Sequence, residues 1–171
     1  MQPQQISHSF TLKHKGFANT LLMPVNIAVP DQVQKFSTKA IWDTGATGTV
    51  ITQEVVDALK LLPTGMEKVN TASETGVLTH TFLIDLYLKH DLRIHTVKVT
   101  LGKIAPGIGC LIGMDIITLG DFSITNFNGN TCMTFRIPSQ HEIDYVQHQQ
   151  ELNKQQKTQQ LKDARNKLYK K

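Results

Sequence analysis

The sequence predicts a mainly β fold followed by a short helical tail. Three observations carry that expectation. Apolar residues between Ile6 and Ile137 fall in short runs divided by turn residues, and a period of two shows wherever a run is long enough. Long helical patterns are too few for an alternating β/α domain. From residue 140 the composition turns to Gln and Lys, with Leu161, Ala164 and Leu168 at helical spacing. The expected division is therefore a domain over residues 1–139 and a tail over 140–171, helical or partly disordered. A chain of 171 residues suits one domain plus an appendage. At this length roughly 68–70% of the unfolded surface can be buried, so neither disulfide nor metal is needed to hold a core.

The elements follow in order. Leu21 to Val29 is apolar-rich and bounded by Asn19 and Pro30. Lys39 to Trp42 reads as a strand that ends abruptly in the turn Asp43-Thr44-Gly45. Thr52 is placed to cap a helix over Gln53 to Lys60, with Val55, Val56 and Leu59 on one face and Pro63 as the stop. A hairpin comes next: Glu67 to Ala72, a turn at Ser73-Glu74-Thr75-Gly76, then Val77 to Leu88. In its second strand Phe82, Ile84, Leu86 and Leu88 alternate with polar or outward positions. Val97, Val99 and Leu101 repeat the period of two, and Cys110 to Ile112 is a short apolar run ending at Gly113. Met114 to Leu119 reads as one or two helical turns closed by Gly120. Phe122 to Phe127 and Thr131 to Ile137 flank Asn128-Gly129, a strong hairpin signature.

Charge excludes some partners. Residues 140–171 hold seven basic and four acidic groups, so +3 of the net +4 belongs to the tail and only +1 to the body. A nearly neutral body with 6% aromatic residues lacks the footprint of a phosphate-binding surface, so nucleic acid is not an expected partner. No run approaches a membrane span and the start lacks a basic-then-apolar leader, so no membrane partner is expected and the cytoplasm is the expected compartment. Cys110 and Cys132 form no disulfide framework, which favours a reducing setting.

The chemistry concentrates at Ile41-Trp-Asp-Thr-Gly-Ala-Thr47. A carboxylate ending a buried strand is costly unless its surroundings are built for it. Gly45 permits close approach and a tight turn, and Thr44 supplies a hydroxyl. Taken alone, Asp-Thr-Gly also fits a plain surface turn. Its context is more specific, because Leu111-Ile-Gly-Met-Asp-Ile-Ile117 follows about seventy residues later. Together these segments resemble the retropepsin-like aspartic proteases, the single-lobe family of retroviral proteases and bacterial relatives, with the bacterial members looking most alike. The resemblance covers about Ile6 to Ile137. It implies a single-lobe acid-protease β-barrel with one or two short helices.

By that likeness Asp43 is the catalytic aspartate, Thr44 links the two active-site loops of a dimer, and Gly45 and Ala46 complete the turn. Ile112-Gly113 packs beneath it. The hairpin tip at Ala72, Ser73, Glu74, Thr75 and Gly76 takes the place of the substrate-covering flap. Two features depart from the family pattern: Trp42 is bulkier than the Leu or Val often found before the aspartate, and the flap turn has fewer glycines.

Aspartic proteolysis uses two carboxylates about 3 Å apart that share one proton. This chain has one Asp-Thr-Gly. Asp115 is a tempting second acid, but it lies in the same lobe and reads as structural, accepting hydrogen bonds from backbone or a basic group. The resemblance therefore implies a homodimer, with a peptide or protein as substrate, water as nucleophile, a bell-shaped rate profile with an acidic to mildly acidic optimum, and no metal or cofactor. A non-catalytic dimerisation or peptide-binding module on the same fold is the alternative. Other chemistries find little support. The glycines at 107, 109 and 113 lack dinucleotide-loop spacing, and no two of the seven histidines flank a Glu at helical i, i+4 spacing. Neither cysteine has an evident activating neighbour.

Overall fold

Buried and exposed side chains alternate along most strands, as they must when one face of a strand meets a core. The computed structural model describes residues 6–71 and 74–168, and these divide between Gln140 and His141 into two units. In the first, β1 (His8–His14), β2 (Leu22–Ala28), β3 (Lys35–Trp42) and β4 (Val50–Ile51) precede α1 (Gln53–Leu59). Then come β5 (Gly65–Val69), β6 (Val77–Tyr87), β7 (Arg93–Leu101), β8 (Cys110–Ile112), α2 (Met114–Ile117), β9 (Asp121–Thr125) and β10 (Thr131–Ile137).

Seven strands form one sheet in the order β2-β3-β8-β4-β7-β6-β5, and β2 also pairs with β6. That pairing closes β2, β3, β8, β4, β7 and β6 into a six-stranded barrel and leaves β5 outside it as the first strand of a hairpin with β6. The barrel interior is filled by Ile27, Ile51, Ile84, Leu86, Val99 and Ile112, all essentially inaccessible. The remaining strands make a separate sheet in the order β1-β10-β9. Trp42 at the end of β3 meets that sheet in an aromatic cluster. Its ring stacks on Phe122 of β9 with centroids 5.4 Å apart, Phe135 and Phe10 pack at 5.1 and 6.1 Å, and its Nε1 donates to Met23 Sδ at 3.0 Å.

Helix α1 buries Val55, Val56 and Leu59 as the periodicity predicts. Both of its end signals act differently from expectation. Thr52 stands at the N-cap with no side-chain capping bond, and its Oγ1 is buried without a partner. The helix ends before Pro63, at Lys60, which takes the left-handed conformation with φ 51° and donates its N–H to Asp57 O. Between β9 and β10, Asn128 and Gly129 both adopt positive φ, 50° and 73°, which is why this pair serves the turn.

Two ion pairs pin the strands. At a bulge between Ile84 and Leu86 the side chain of Asp85 is fully buried. It accepts from Arg93 Nε at 3.2 Å, from Arg93 Nη2, and from the Thr96 N–H at 2.9 Å. Burial pushes its carboxyl up, but the Thr96 N–H and Arg93 outweigh that and leave it below the usual range. Asp121 accepts from Arg136, from Ser139 Oγ at 2.5 Å and from the Gln140 N–H at 3.0 Å, and these partners hold its carboxyl well below the carboxylate range.

The second unit contains α3 (Tyr145–Leu168). Asp144 caps it, its Oδ1 accepting from the Val146 and Gln147 N–H groups at 2.8 and 3.2 Å. Every helical residue whose side chain is described is exposed. Spacings of four supply side-chain bonds, Gln149 to Asn153 and Gln159 to Asp163. Among the described residues no helix is long and apolar enough to cross a membrane.

Candidate active site

Strand β3 delivers Asp43 because it is locked on both sides. β2 runs antiparallel to it, while β8 runs parallel with Ala40 opposite Cys110 and Trp42 opposite Ile112. The Asp43 N–H donates to Ile112 O at 3.0 Å, which extends the ladder one residue beyond the strand. The chain then turns. The Gly45 N–H donates to Asp43 Oδ1 at 2.8 Å and the Ala46 N–H to Asp43 O at 3.3 Å. A Cβ at Gly45 would sit 3.2 Å from that same Oδ1, so the missing side chain lets the N–H hold the carboxylate. Asp43 and Ala46 are half-buried, whereas Thr44 and Gly45 are exposed.

A second segment braces this loop from below. The Met114 N–H donates to Ala46 O at 2.8 Å and the Asp115 N–H to Thr47 O at 3.2 Å. Gly113 is required where the two backbones cross, since a Cβ there would lie 2.5 Å from Gly48 O and 3.0 Å from Ala46 O. Ile112 is fully buried beside it.

Asp115 does not approach the Asp43 turn as a second acid. Its two oxygens accept from the Thr49 N–H at 3.0 Å and the Thr49 Oγ1 at 2.8 Å, and Thr49 Oγ1 in turn accepts from the Gly113 N–H at 3.2 Å. Its partners are thus a backbone amide and a hydroxyl, and no basic group is needed.

The Gly45–Val50 loop forms one wall of a cleft of about 590 Å³, and β5 with Asn70 and the outer part of β7 forms the other. Lys98 and Glu67 pair across that second wall at 2.8 Å. The hairpin of β5 and β6 rises from it in register, Val69 opposite Val77. Its tip is tied within itself: the Gly76 N–H donates to Asn70 Oδ1 at 2.9 Å and the Thr71 N–H to Glu74 O at 2.8 Å. Glu74, Thr75 and Gly76 are exposed there, Gly76 at φ 67°. Ala72 and Ser73, expected in the same tip, lie outside the described residues. A second cavity, about 400 Å³, opens on the other side of Asp43 between Ala18–Leu21, Ile41–Asp43 and the residues Ile124 and Asn126.

Sequence reasoning found the Asp43 turn and the Ile112-Gly113 segment. It missed Thr49 as their junction and the Glu67–Lys98 pair on the cleft wall. Neither has a local sequence mark, because each joins residues far apart in the chain.

Residues 29–118 match the family model described as "gag-polyprotein putative aspartyl protease". The chain belongs to this retropepsin-like aspartic protease family. The matched span holds Asp43–Ala46, the hairpin of β5 and β6 and Leu111–Gly113, and it ends before β9. No curated protein matches the chain in sequence. Similar solved structures include a retropepsin-like aspartic protease from Rickettsia conorii, 15% identical over 78% of this chain and 98% of that one, with a TM-score of 0.48. The EIAV protease complexed with an inhibitor is 19% identical over 58% and 86%, TM-score 0.39. The retroviral protease-like domain of Ddi1 from Leishmania major is 12% identical over 72% and 97%, TM-score 0.41.

Proposed function

We propose that this aspartic protease family member is an endopeptidase that works as a homodimer, each copy contributing one Asp43. The observation that supports the reading is the Asp43 carboxylate itself: half-buried, oriented by the Gly45 N–H, and carried on a loop braced at Gly113 beside an open cleft. Its chemistry needs two acids sharing a proton, and Asp115 is committed to Thr49. The second acid is then the Asp43 of a second copy.

In that pair the ionised Asp43 takes a proton from a water held between the carboxylates, and the water oxygen bonds to the scissile carbonyl carbon. The protonated Asp43 hydrogen-bonds the carbonyl oxygen as it gains charge. Proton return to the amide nitrogen lets the carbon–nitrogen bond break, leaving a carboxylic acid and an amine. Thr44, exposed at the turn, links the two loops. The hairpin tip at Glu74, Thr75 and Gly76 acts as a flap over an extended peptide and adds main-chain hydrogen bonds to it. A reducing, cytoplasmic setting belongs to the same reading, since Cys110 and Cys132 are free thiols.

The test is a peptide library assayed from pH 4 to 7 with wild type and Asp43→Asn. Cleavage is expected to fall at least about a hundredfold in the variant, the scale of a lost acid–base group. Equal cleavage by both proteins overturns the proposal and leaves a peptide-binding or dimerisation module in its place.

A further inference from the structure

The cleft wall opposite the Asp43 loop carries charge that the proposed hydrolysis does not use. Glu67 of β5 and Lys98 of β7 meet across β6, which lies between them in the sheet, with Lys98 Nζ donating to Glu67 Oε2 at 2.8 Å. Buried Val97 and Val99 flank Lys98 along β7, so its side chain stands on the outer side of the barrel. The pair is open. The Lys98 and Glu67 side chains are 61% and 44% exposed, and an ion pair that accessible is held by no more than about 1 kcal/mol. Their bond uses one of the three N–H groups of the ammonium and one of the two carboxylate oxygens. Donors and an acceptor therefore stand side by side on this wall.

Other acceptors around the cleft are engaged. Both Asp115 oxygens accept from Thr49, and Asn70 Oδ1 accepts from the Gly76 N–H. Lys68 follows Glu67 directly on β5 and points to the other face of the hairpin. Val50 and Val69 supply apolar surface to the same cleft.

Substrate side chains meet such a wall in different ways. A carboxylate gains Lys98 but opposes Glu67 and Asp115, and a cation gains Glu67 but opposes Lys98. An aliphatic chain covers both charges and returns no hydrogen bond, which leaves them desolvated. A carboxamide answers both at once: its oxygen accepts from Lys98 Nζ, its NH2 donates to Glu67, and its methylenes lie on Val50 and Val69. We infer that the Glu67–Lys98 pair makes this cleft a subsite for a glutamine or asparagine side chain of the peptide. The subsite deepens the endopeptidase reading and rests on it, and Glu67 and Lys98 determine specificity without touching the reacting atoms.

Peptides scanned at each position around the scissile bond with Gln, Glu, Lys and Met test it on the full chain, Met matching Gln in length without its amide. At one position kcat/KM for Gln should exceed each of the other three by about tenfold, the direction expected of a site built to hydrogen-bond. Lys98→Glu alone should move the preference to Lys, Glu67→Lys alone to Glu, and the two together should return it to Gln. A merely structural pair would lower all four peptides alike. Fluorescence polarisation of the same peptides, labelled, with the Asp43→Asn protein reads the subsite without cleavage. Cleavage that depends on Asp43 but favours Gln nowhere, or single charge reversals that leave the selectivity unchanged, overturns the subsite and leaves the endopeptidase reading in force. Gln-selective binding without cleavage by wild type overturns the endopeptidase and keeps the subsite. Neither binding nor cleavage of any peptide overturns both.

Discussion

Thr49 is 1% exposed, and its hydroxyl connects two segments of the site: it donates to Asp115 and accepts from the Gly113 N–H. Removing that hydroxyl without changing shape leaves a half-buried carboxylate oxygen and a buried amide without this partner. Thr49→Val should therefore lower unfolding free energy by about 1–3 kcal/mol per orphaned group, read by urea denaturation. The Asp43 loop lies on this junction, so kcat should fall by about ten- to a hundredfold with KM little changed. Thr49→Ser keeps the hydroxyl and should restore both quantities. A Val variant with wild-type stability and turnover would show that the junction positions nothing. Only part of this arrangement is legible in sequence. Asp43-Thr-Gly and Leu-Ile-Gly113 announce themselves because glycine next to a strand-ending carboxylate has a local reason. Thr49 and Asp115 stand 66 positions apart, and a threonine among threonines carries no mark of the partner it will meet.

At the level of elements, the strand pattern is largely written in the alternation of apolar residues, and β6 shows where it fails. Counting by twos from Phe82 puts residue 85 on the outward face. Asp85 is nevertheless fully buried: the irregularity between Ile84 and Leu86 sets two residues of β7, His95 and Thr96, against this one residue of β6, and Arg93 and the Thr96 N–H satisfy its carboxylate. The periodicity of β6 does not reveal this, since the extra residue lies in the partner strand β7. The pair binds β6, the second strand of the hairpin with β5, to β7, which lines the cleft at Lys98 and Thr100. Asp85→Ala leaves the partly exposed Arg93 cation with the Asp31 carboxylate at 3.9 Å in place of its close partner and leaves the Thr96 N–H without its acceptor, so a lower unfolding midpoint is expected. The wild-type pair also predicts an acid limit. Because the folded carboxyl lies below its unfolded value near 3.9, the contribution is fully present above that value and disappears as pH falls through the folded one. Thermal unfolding midpoints from pH 6 down to pH 2 should fall less steeply in the variant than in wild type. Parallel curves would show that Asp85 adds nothing to the acid dependence.

For the whole molecule, the shift to Gln and Lys after residue 140 announces the tail, yet the amino acids that hold the end of the first unit are not visible there. Ser139 and the Gln140 N–H both bind Asp121, the first residue of β9, beside its cross-strand partner Arg136. That contact decides where the chain can be cut. Truncation after Gln140 keeps Arg136, Ser139 and the Gln140 N–H on Asp121 and removes residues 141–171, in which every described side chain of α3 is exposed. Residues 1–140 should then unfold within about 0.5 kcal/mol of the full chain, as expected for losing exposed surface alone. Truncation after Ile137 deletes Ser139 and Gln140 together and leaves the Asp121 carboxylate with Arg136 alone. Since β9 borders both Trp42 and the cavity beside Asp43, this shorter chain should lose stability, and it should lose peptide cleavage along with it. Denaturation and turnover of the two truncations side by side separate the cases. Equal behaviour would mean that the Asp121 cluster holds nothing the active site depends on, whereas a difference confined to the shorter chain assigns the last turn of the first unit to the catalytic architecture.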